Sequence, residues 1–310
     1  MSISIPQIRG FLALTEHLNF RRAAREMNIT QPALSNQVKA LEQSLGVRLF
    51  IRTTRSVELT EDGTRFFRNS RRAIAEIDSA IAEMSTPTDA RFGFVTFACI
   101  PTIAGHAFPR IIRQYIKQHP QVTIEMLDQA TAGMERKILD RDVDFGVGGR
   151  PRRSDDFTFV PLLRDPFVLV CRKDHPLARK TLIKIDDAMK YPIICLAKGS
   201  NVRETIRTYF SDIGQSFTPA FELVHHYTVG AMVEAGLGVA FLPAQATAMI
   251  TSTRVKSVPL ADKAFFRDVG LITRKGYKLS SSAADFYAFT LKIMRSMSHK
   301  KSKKKPQIPR

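Results

Sequence analysis

Apolar residues recur at helical spacing from the start of the chain. Ile8, Phe11, Leu12 and Thr15 follow Pro6, a pattern that predicts a helix over about 6–17. Asn19 is placed to cap a second, short helix over 20–27, where the small residues Ala23 and Ala24 let another helix cross closely. After a turn at Asn28 and Ile29 a third helix is predicted, with Thr30 as N-cap, Pro32 in its first turn and Gly46 ending it in a left-handed conformation. Its apolar residues Leu34, Val38, Leu41 and Leu45 form one narrow stripe. The same geometry turns Pro32, Asn36, Lys39 and Gln43 outward and sets Gln31 and Ser35 at the leading edge.

Beyond Gly46 two short runs, 47–51 and 57–59, read as strands joined by Arg52-Thr53-Thr54-Arg55-Ser56, a basic hairpin. A further helix starts at Thr60, with Glu61 and Asp62 in its first turn, and stops at Thr86-Pro87. Phe67, Ile74, Ile77, Ile81 and Met84 step along it by 7, 3, 4 and 3 residues, a heptad seam whose other face is charged. A lone helix cannot bury such a seam. Either two copies pair through it as a dimer, or it packs on the rest of its own chain.

A short polar helix carried on two others by a tight turn is how a helix-turn-helix presents side chains to the DNA major groove. Gln and Asn amides pair bidentately with adenine, Ser donates or accepts, and an exposed helix N-terminus favours a phosphate. Arg52 and Arg55 of the hairpin wing are placed for backbone or minor-groove contact. The alternative is a three-helix interaction module with a solvated hairpin.

After a hinge over 86–91, strand-length apolar runs alternate with helical patterns, which predicts a largely parallel α/β region. Strands are expected at about 92–99, 122–127, 143–147, 167–172, 192–196, 221–224, 238–242 and 268–273. The chain leaves one sheet near Leu163, builds a second and returns near Asp268, giving two lobes with a cleft suited to a small ligand. Free backbone N–H groups belong where strands end and helices begin. Four such places are Pro101-Thr102-Ile103, Gln129-Ala130-Thr131, Gly199-Ser200-Asn201 and His226-Tyr227-Thr228.

Charge sharpens the picture. The 310 residues carry a net charge of +18, which favours a polyanionic partner. Residues 1–90 nevertheless hold 12 Lys+Arg against 10 Asp+Glu, while 291–310 hold 8 against none. The tail HKKSKKKPQIPR has no apolar period and is expected to be disordered, serving solubility or attracting DNA phosphates. The longest apolar stretch, 229–250, contains Glu234, Gln245, three Gly and a Pro, so no membrane span is expected. MSISIPQIRG lacks the features of a signal peptide, and the expected location is cytoplasmic. Cys99, Cys171 and Cys195 are odd in number and sit in apolar runs, which predicts core filling rather than disulfides.

The run AAREMNITQPALSNQVKALEQSLGVRLFIRTTRSVELTEDG, residues 23–63, strongly resembles the DNA-binding domain of LysR-type transcriptional regulators. FPRIIRQYIKQHPQVTIEM, DRDVDFGV, DHPLA and VEAGLGVAFLPA are similar to that family's effector domain. The resemblance implies an α/β chain: a winged helix-turn-helix over 1–59, a dimerising linker helix over 60–86 and a hinge over 87–90. A two-lobed, periplasmic-binding-protein-like effector domain over 91–298 follows, with lobe 1 at 91–163 and 268–298, lobe 2 at 164–267, and a basic tail at 299–310. Carried over by motif, Gln31, Pro32, Ser35 and Asn36 would meet bases or phosphates and Arg52 the wing's DNA partner; Lys39 and Arg55 join them from the helix face and hairpin. In the family the four loops line the effector cleft, which makes Thr102, Ile103, Thr131, Ser200, Asn201 and Thr228 the candidate effector residues. Each of these except Ile103 is also an ordinary N-cap candidate. The implied partners are two-fold related double-stranded promoter DNA, a small organic acid, a homodimer or a homotetramer built from dimers, and RNA polymerase, with no membrane. Asn19 stands where the family usually has Ser, and Arg21 and Arg22 precede the alanine pair.

No enzyme motif supports another class. GVGGR at 146–150 lacks the GxGxxG spacing, and no Walker, GxSxG or HExxH sequence occurs. His225 and His226 are expected on opposite faces of a strand and the other histidines are scattered, so neither metal nor cofactor is expected. The competing reading is a DNA-recruited enzyme acting on a small molecule in the C-terminal region.

Overall fold

A computed structural model describes residues 3–53, 56–85, 93–151 and 154–303. The chain forms two compact units, one built on residues up to Phe94, the other on Val95–Gln118 and Ile124–Arg310.

The first unit begins with α1 (Ile5–His17), α2 (Phe20–Glu26) and α3 (Gln31–Leu45). Asn19 Oδ1 accepts the Arg22 amide hydrogen at 3.0 Å, Thr30 Oγ1 accepts that of Ala33 at 3.3 Å, and Gly46 ends α3 at φ 72°. Phe11, Leu14, Ala23, Ala24, Leu34, Val38 and Leu41 make the core, closed by Phe50 and Phe66 against Phe11. The wing is β1 (Phe50–Arg52) paired antiparallel with β2 (Val57–Leu59). Its first strand starts later than the expected 47–51, because the partner offers only three residues and pairs Phe50 with Leu59. A 25-residue helix, α4 (Glu61–Ser85), follows. Gly63 in its first turn is required there: a Cβ would stand 2.0 Å from the Leu49 carbonyl oxygen.

The second unit contains β3 (Gly93–Cys99), α5 (Pro101–Ala104), α6 (Phe108–Gln118), β4 (Val122–Asp128), α7 (Thr131–Leu139), β5 (Phe145–Gly149), β6 (Phe157–Arg172) and α8 (Ile185–Ala188). It continues with β7 (Ile193–Leu196), α9 (Asn201–Asp212), β8 (Phe221–Leu223), α10 (His226–Glu234), β9 (Val239–Pro243), β10 (Val255–Pro259), β11 (Phe266–Arg274) and α11 (Ser281–Lys303). Strand order is β4-β3-β5-β11-β6-β9-β7-β8, with β10 also on β6. The expected parallel sheet is corrected to a mixed one: β3/β5, β7/β8 and β7/β9 are parallel, but β5/β11, β11/β6, β6/β9 and β6/β10 are antiparallel.

The antiparallel centre is what makes two lobes. The first part of β6 pairs with β11 up to Pro166, and from Phe167 the same strand pairs with β9 instead. Lobe 1 is packed by Phe97, Phe108, Phe145 and Phe286; lobe 2 by Phe210, Phe241 and Phe265 with Leu169, Ile194 and Val229. The start of β6 escapes the sequence pattern because Pro161 interrupts it; the register slips there, opposite Val269 and Gly270. The short strand β10, ending in Pro259, is likewise missed. Helix α11 runs to Lys303, into the expected tail; residues 304–310 and the 86–92 linker lie outside the described residues.

Candidate functional site

The outward face of α3 is built by its inward one. Leu34, Val38 and Leu41 are wholly buried, which leaves Gln31, Pro32, Asn36 and Lys39 exposed and Ser35 half-buried. The caps at both ends fix the helix, so its amide-bearing side is a preorganised surface.

Glu42, unmarked in the sequence, ties this helix to the wing. Its Oε1 accepts the amide hydrogens of Leu49 at 2.8 Å and Phe50 at 3.2 Å, and its Oε2 accepts from Arg52 at 2.7 Å. The expectation for Arg52 is corrected accordingly. It is no free cation: its guanidinium is held by Glu42 and lies over the Phe20 ring at 5.2 Å. Arg55 lies outside the described residues.

The seam on α4 is narrower than its spacing suggests. Phe67 is half-buried against the N-terminal core, and Ile74 is buried within the single chain, so Ile74 is not left for a second copy. Ile77 is half-buried and Ile81 is 57 % exposed, while the side chain of Met84 falls outside the described residues.

Between the lobes of the second unit lies a chamber of about 290 Å³. Thr102, Thr131, Ser200 and Asn201 line it together with His226 and Arg267. Two expected residues do not. Ile103 is 1 % exposed and belongs to the core, because the short α5 turns Thr102 toward the chamber and its neighbour inward. Thr228 stands two residues into α10, about 200° around the helix from His226, and the wall is made by His226 and Tyr227 instead. The histidine pair is also corrected: His225 is the N-cap of α10 and His226 its first residue.

The polar groups around the chamber are unevenly satisfied. Ser200 Oγ caps α9 by accepting the Arg203 amide hydrogen at 3.1 Å, and Thr102 Oγ1 accepts from Arg267 Nη2 at 2.9 Å. By contrast, Thr131 Oγ1, Asn201 Oδ1 and His226 Nε2 are buried without a hydrogen-bond partner. Neither α7, capped by Ala130, nor α10, capped by His225, receives a side-chain hydrogen bond at its N-terminus. Burial, then the positive charge of Arg267, then His225, pull the His226 pKa down to about 4, so this ring is neutral at neutral pH. Arg267 pairs with Asp165 at 2.9 Å, their side chains 4 % and 0 % exposed. Asp165 Oδ1 also accepts the Gln245 amide hydrogen at 3.1 Å.

Sequence reading missed Arg267, Asp165 and His226. The one available signal for the ion pair was an Arg-Asp dipeptide inside each of two strand-length apolar runs, LLRDPFVLV and AFFRDVGLI. Of the glycines at 146–149, Gly146 and Gly148 lie beneath Met134 of α7, and only Gly149 meets the other lobe, where a Cβ would be 2.4 Å from Asn201. The three cysteines are buried, and burial raises each thiol pKa. Arg203 is buried and paired with Glu222 at 3.1 Å. Among the described residues no cluster of three metal-ligating side chains occurs, and no helix is long and apolar enough to cross a membrane.

Comparison with known proteins matches residues 5–64 to the bacterial regulatory helix-turn-helix of the lysR family and residues 90–295 to the LysR substrate binding domain. The HTH-type transcriptional regulator YbhD of Escherichia coli is 33% identical over 293 residues, covering 94% of this chain and 92% of that protein. Among solved structures, the OxyR C206 mutant of Corynebacterium glutamicum superposes with a TM-score of 0.68 at 23% identity, over 97% of this chain and 95% of that one. The effector binding domain of QuiR in complex with shikimate gives 0.62 at 20% identity, over 66% of this chain and 98% of that one.

Proposed function

Since the chain belongs to the LysR family of transcriptional regulators, a DNA-binding, oligomeric group rather than an enzyme family, we propose that it reads two-fold related promoter sites and senses a small organic acid. In this reading α3 enters the major groove. Gln31, Ser35 and Asn36 meet base edges, while Pro32 and Lys39 lie against the backbone. Arg52 acts mainly by holding the wing, and Arg55 supplies its DNA contact. Ile77, Ile81 and Met84 of the α4 seam pair with a second copy, and dimers combine into a tetramer.

The effector sits in the inter-lobe chamber on Thr102, Thr131, Ser200 and Asn201. One observation carries this reading. The uncapped N-termini of α7 and α10, one from each lobe, reach a chamber where Thr131 Oγ1 and His226 Nε2 are buried without partners. Such groups favour a carboxylate, which accepts several N–H bonds and complements the helix dipoles. Shikimate, held by the QuiR domain, is an acid of comparable size. An acid that binds the closed lobes better than the open ones shifts their equilibrium and so alters the bend or spacing of bound DNA, from where RNA polymerase is reached.

Footprinting of the promoter beside the chain's own gene, with and without candidate acids, tests this. A protected two-fold site whose pattern changes with an acid is expected; no protected site, or one indifferent to every acid that binds, contradicts it. Replacing Ser35 and Asn36 by Ala should cost about 1–3 kcal/mol at the specific site and little on random DNA. Equal losses on both would mean that these side chains do not touch bases.

A further inference from the structure

Arg267 is the only Lys, Arg, Asp or Glu among the residues lining the inter-lobe chamber. Its guanidinium is anchored on one side, where Nε and Nη2 reach Asp165 Oδ2 at 3.1 and 2.9 Å and Nη2 also reaches Thr102 Oγ1. Nη1 enters none of the hydrogen bonds among the described residues. Asp165 cannot swing away, since its other oxygen holds the Gln245 amide. A buried pair of this kind is a weak source of stability, because desolvating both charges offsets most of their attraction. It does hold a charged donor, fully oriented, at the wall of a cavity.

The charges decide what fits. Arg267 and Asp165 cancel, so the chamber lining offers a carboxylate one charged donor residue, Arg267, whose Nη1 is not engaged by Asp165 or Thr102, plus the partial positive charge of the α7 and α10 N-termini. Thr131 from one lobe and His226 from the other, 7 % and 8 % exposed, supply unpartnered polar atoms. The rest of the lining sets the apolar side chains of Ile100, Leu196, Val202 and Met249 beside the uncharged polar groups of Ser200 and Asn201. At the rim Val224 and Tyr227 are 75 % and 69 % exposed, apolar surface that the body of a ligand would cover. A second carboxylate on the ligand would find no second cationic side chain among these lining residues, and its desolvation would go uncompensated.

We propose that Arg267 is the specificity-determining residue of the chamber, that it accepts a single anionic group through Nη1, and that Asp165 limits the effector to a compact monocarboxylate with an apolar body. This rests on the acid-sensing reading above. Asp165 is then an internal competitor. It keeps Arg267 buried and oriented when the chamber is empty and lowers the affinity for every anion that enters.

Calorimetric titration of the full chain with matched sets tests the idea: benzoate, phthalate and benzamide, then hexanoate, adipate and hexanamide. Within a set whose monoacid binds, the diacid and the amide should each bind weaker by on the order of tenfold or more. Asp165→Asn should tighten the monoacid and reduce the penalty on the diacid, each by about tenfold. The double variant Arg267→Met with Asp165→Leu removes both charges while keeping the site filled, so it tests the idea even where the single variant fails to fold. It should bind acid and amide alike. An unchanged acid-over-amide preference in the double variant, or diacids bound as well as monoacids by the natural chain, would overturn the assignment and leave acid sensing standing. Failure of every monoacid to bind would remove both.

Discussion

His226 shows what a single residue can contribute that no sequence pattern announces. Its ring opens α10 and is buried beside Arg267, which, after burial, is what holds its pKa near 4. An unfolded chain titrates the same ring near the ordinary value of 6.5. Above pH 6.5 both states carry a neutral ring and nothing is lost. Between pH 6.5 and 4 the unfolded state binds a proton that the folded state refuses, so stability falls as the pH falls, by about 3 kcal/mol in total. Urea unfolding of the natural chain and of His226→Gln across pH 7.5–4 should therefore converge on acidification, the variant lacking this loss; parallel curves would mean that the ring is not held neutral. The contrast with Leu34 and Asn36 is instructive. Their opposite exposures were legible because period 3.6 repeats along α3 and each residue supports the others' assignment. His226 stands beside His225 and Arg267 beside Asp268, outside any repeating pattern, and an isolated polar pair says only that something must compensate it.

At the scale of elements, the helices of the first unit were readable because capping residues stand at their ends: Asn19, Thr30 and Gly46 each do what their chemistry favours. The wing was readable only in outline. Its attachment depends on Glu42, a residue on the polar side of α3 that the helical period files as solvent-facing. Removing that carboxylate leaves two buried-side amides and the Arg52 guanidinium without their acceptor. Glu42→Ala should cost about 1–3 kcal/mol locally and raise hydrogen exchange at the Leu49 and Phe50 amides by on the order of tenfold or more. Exchange unchanged from the natural chain would show that the carboxylate does not hold the hairpin. The first half of β6 failed to appear for the opposite reason. Pro161 falls at a register shift, where the ladder tolerates it, and a local pattern contains no information about which partner strand permits that. Strand direction was beyond reach for the same cause: β11 returns across the chain's middle and pairs antiparallel with both β5 and β6, a fact of topology rather than of period.

For the whole molecule, the two-lobed plan was visible because the chain leaves one sheet and returns to it, and the true crossing at Pro166 and Phe167 falls within a few residues of the expected Leu163. Assembly was read less well. The heptad spacing on α4 is real, but spacing cannot distinguish an apolar residue that waits for a partner from one covered by its own chain. Ile74 proves to be of the second kind and Phe67 is half-buried on the N-terminal core, which centres the proposed contact on the C-terminal half of the helix, where Ile81 is 57 % exposed. A glutamate there would face its own copy across a two-fold axis, placing two like charges in an apolar seam. Ile81→Glu places the charge at a position 57 % exposed in the monomer, so it should leave the folded monomer intact and shift sedimentation toward the smaller species. Two half-sites bound by one dimer gain from effective concentration, so affinity for the intact promoter should fall by roughly 10²-fold or more. Affinity for a fragment holding one half-site should stay the same. Ile81→Leu preserves the apolar contact and should behave as the natural chain. If the glutamate variant sediments and binds as before, α4 does not pair through this face, and the two-fold reading of the DNA would need another source of symmetry.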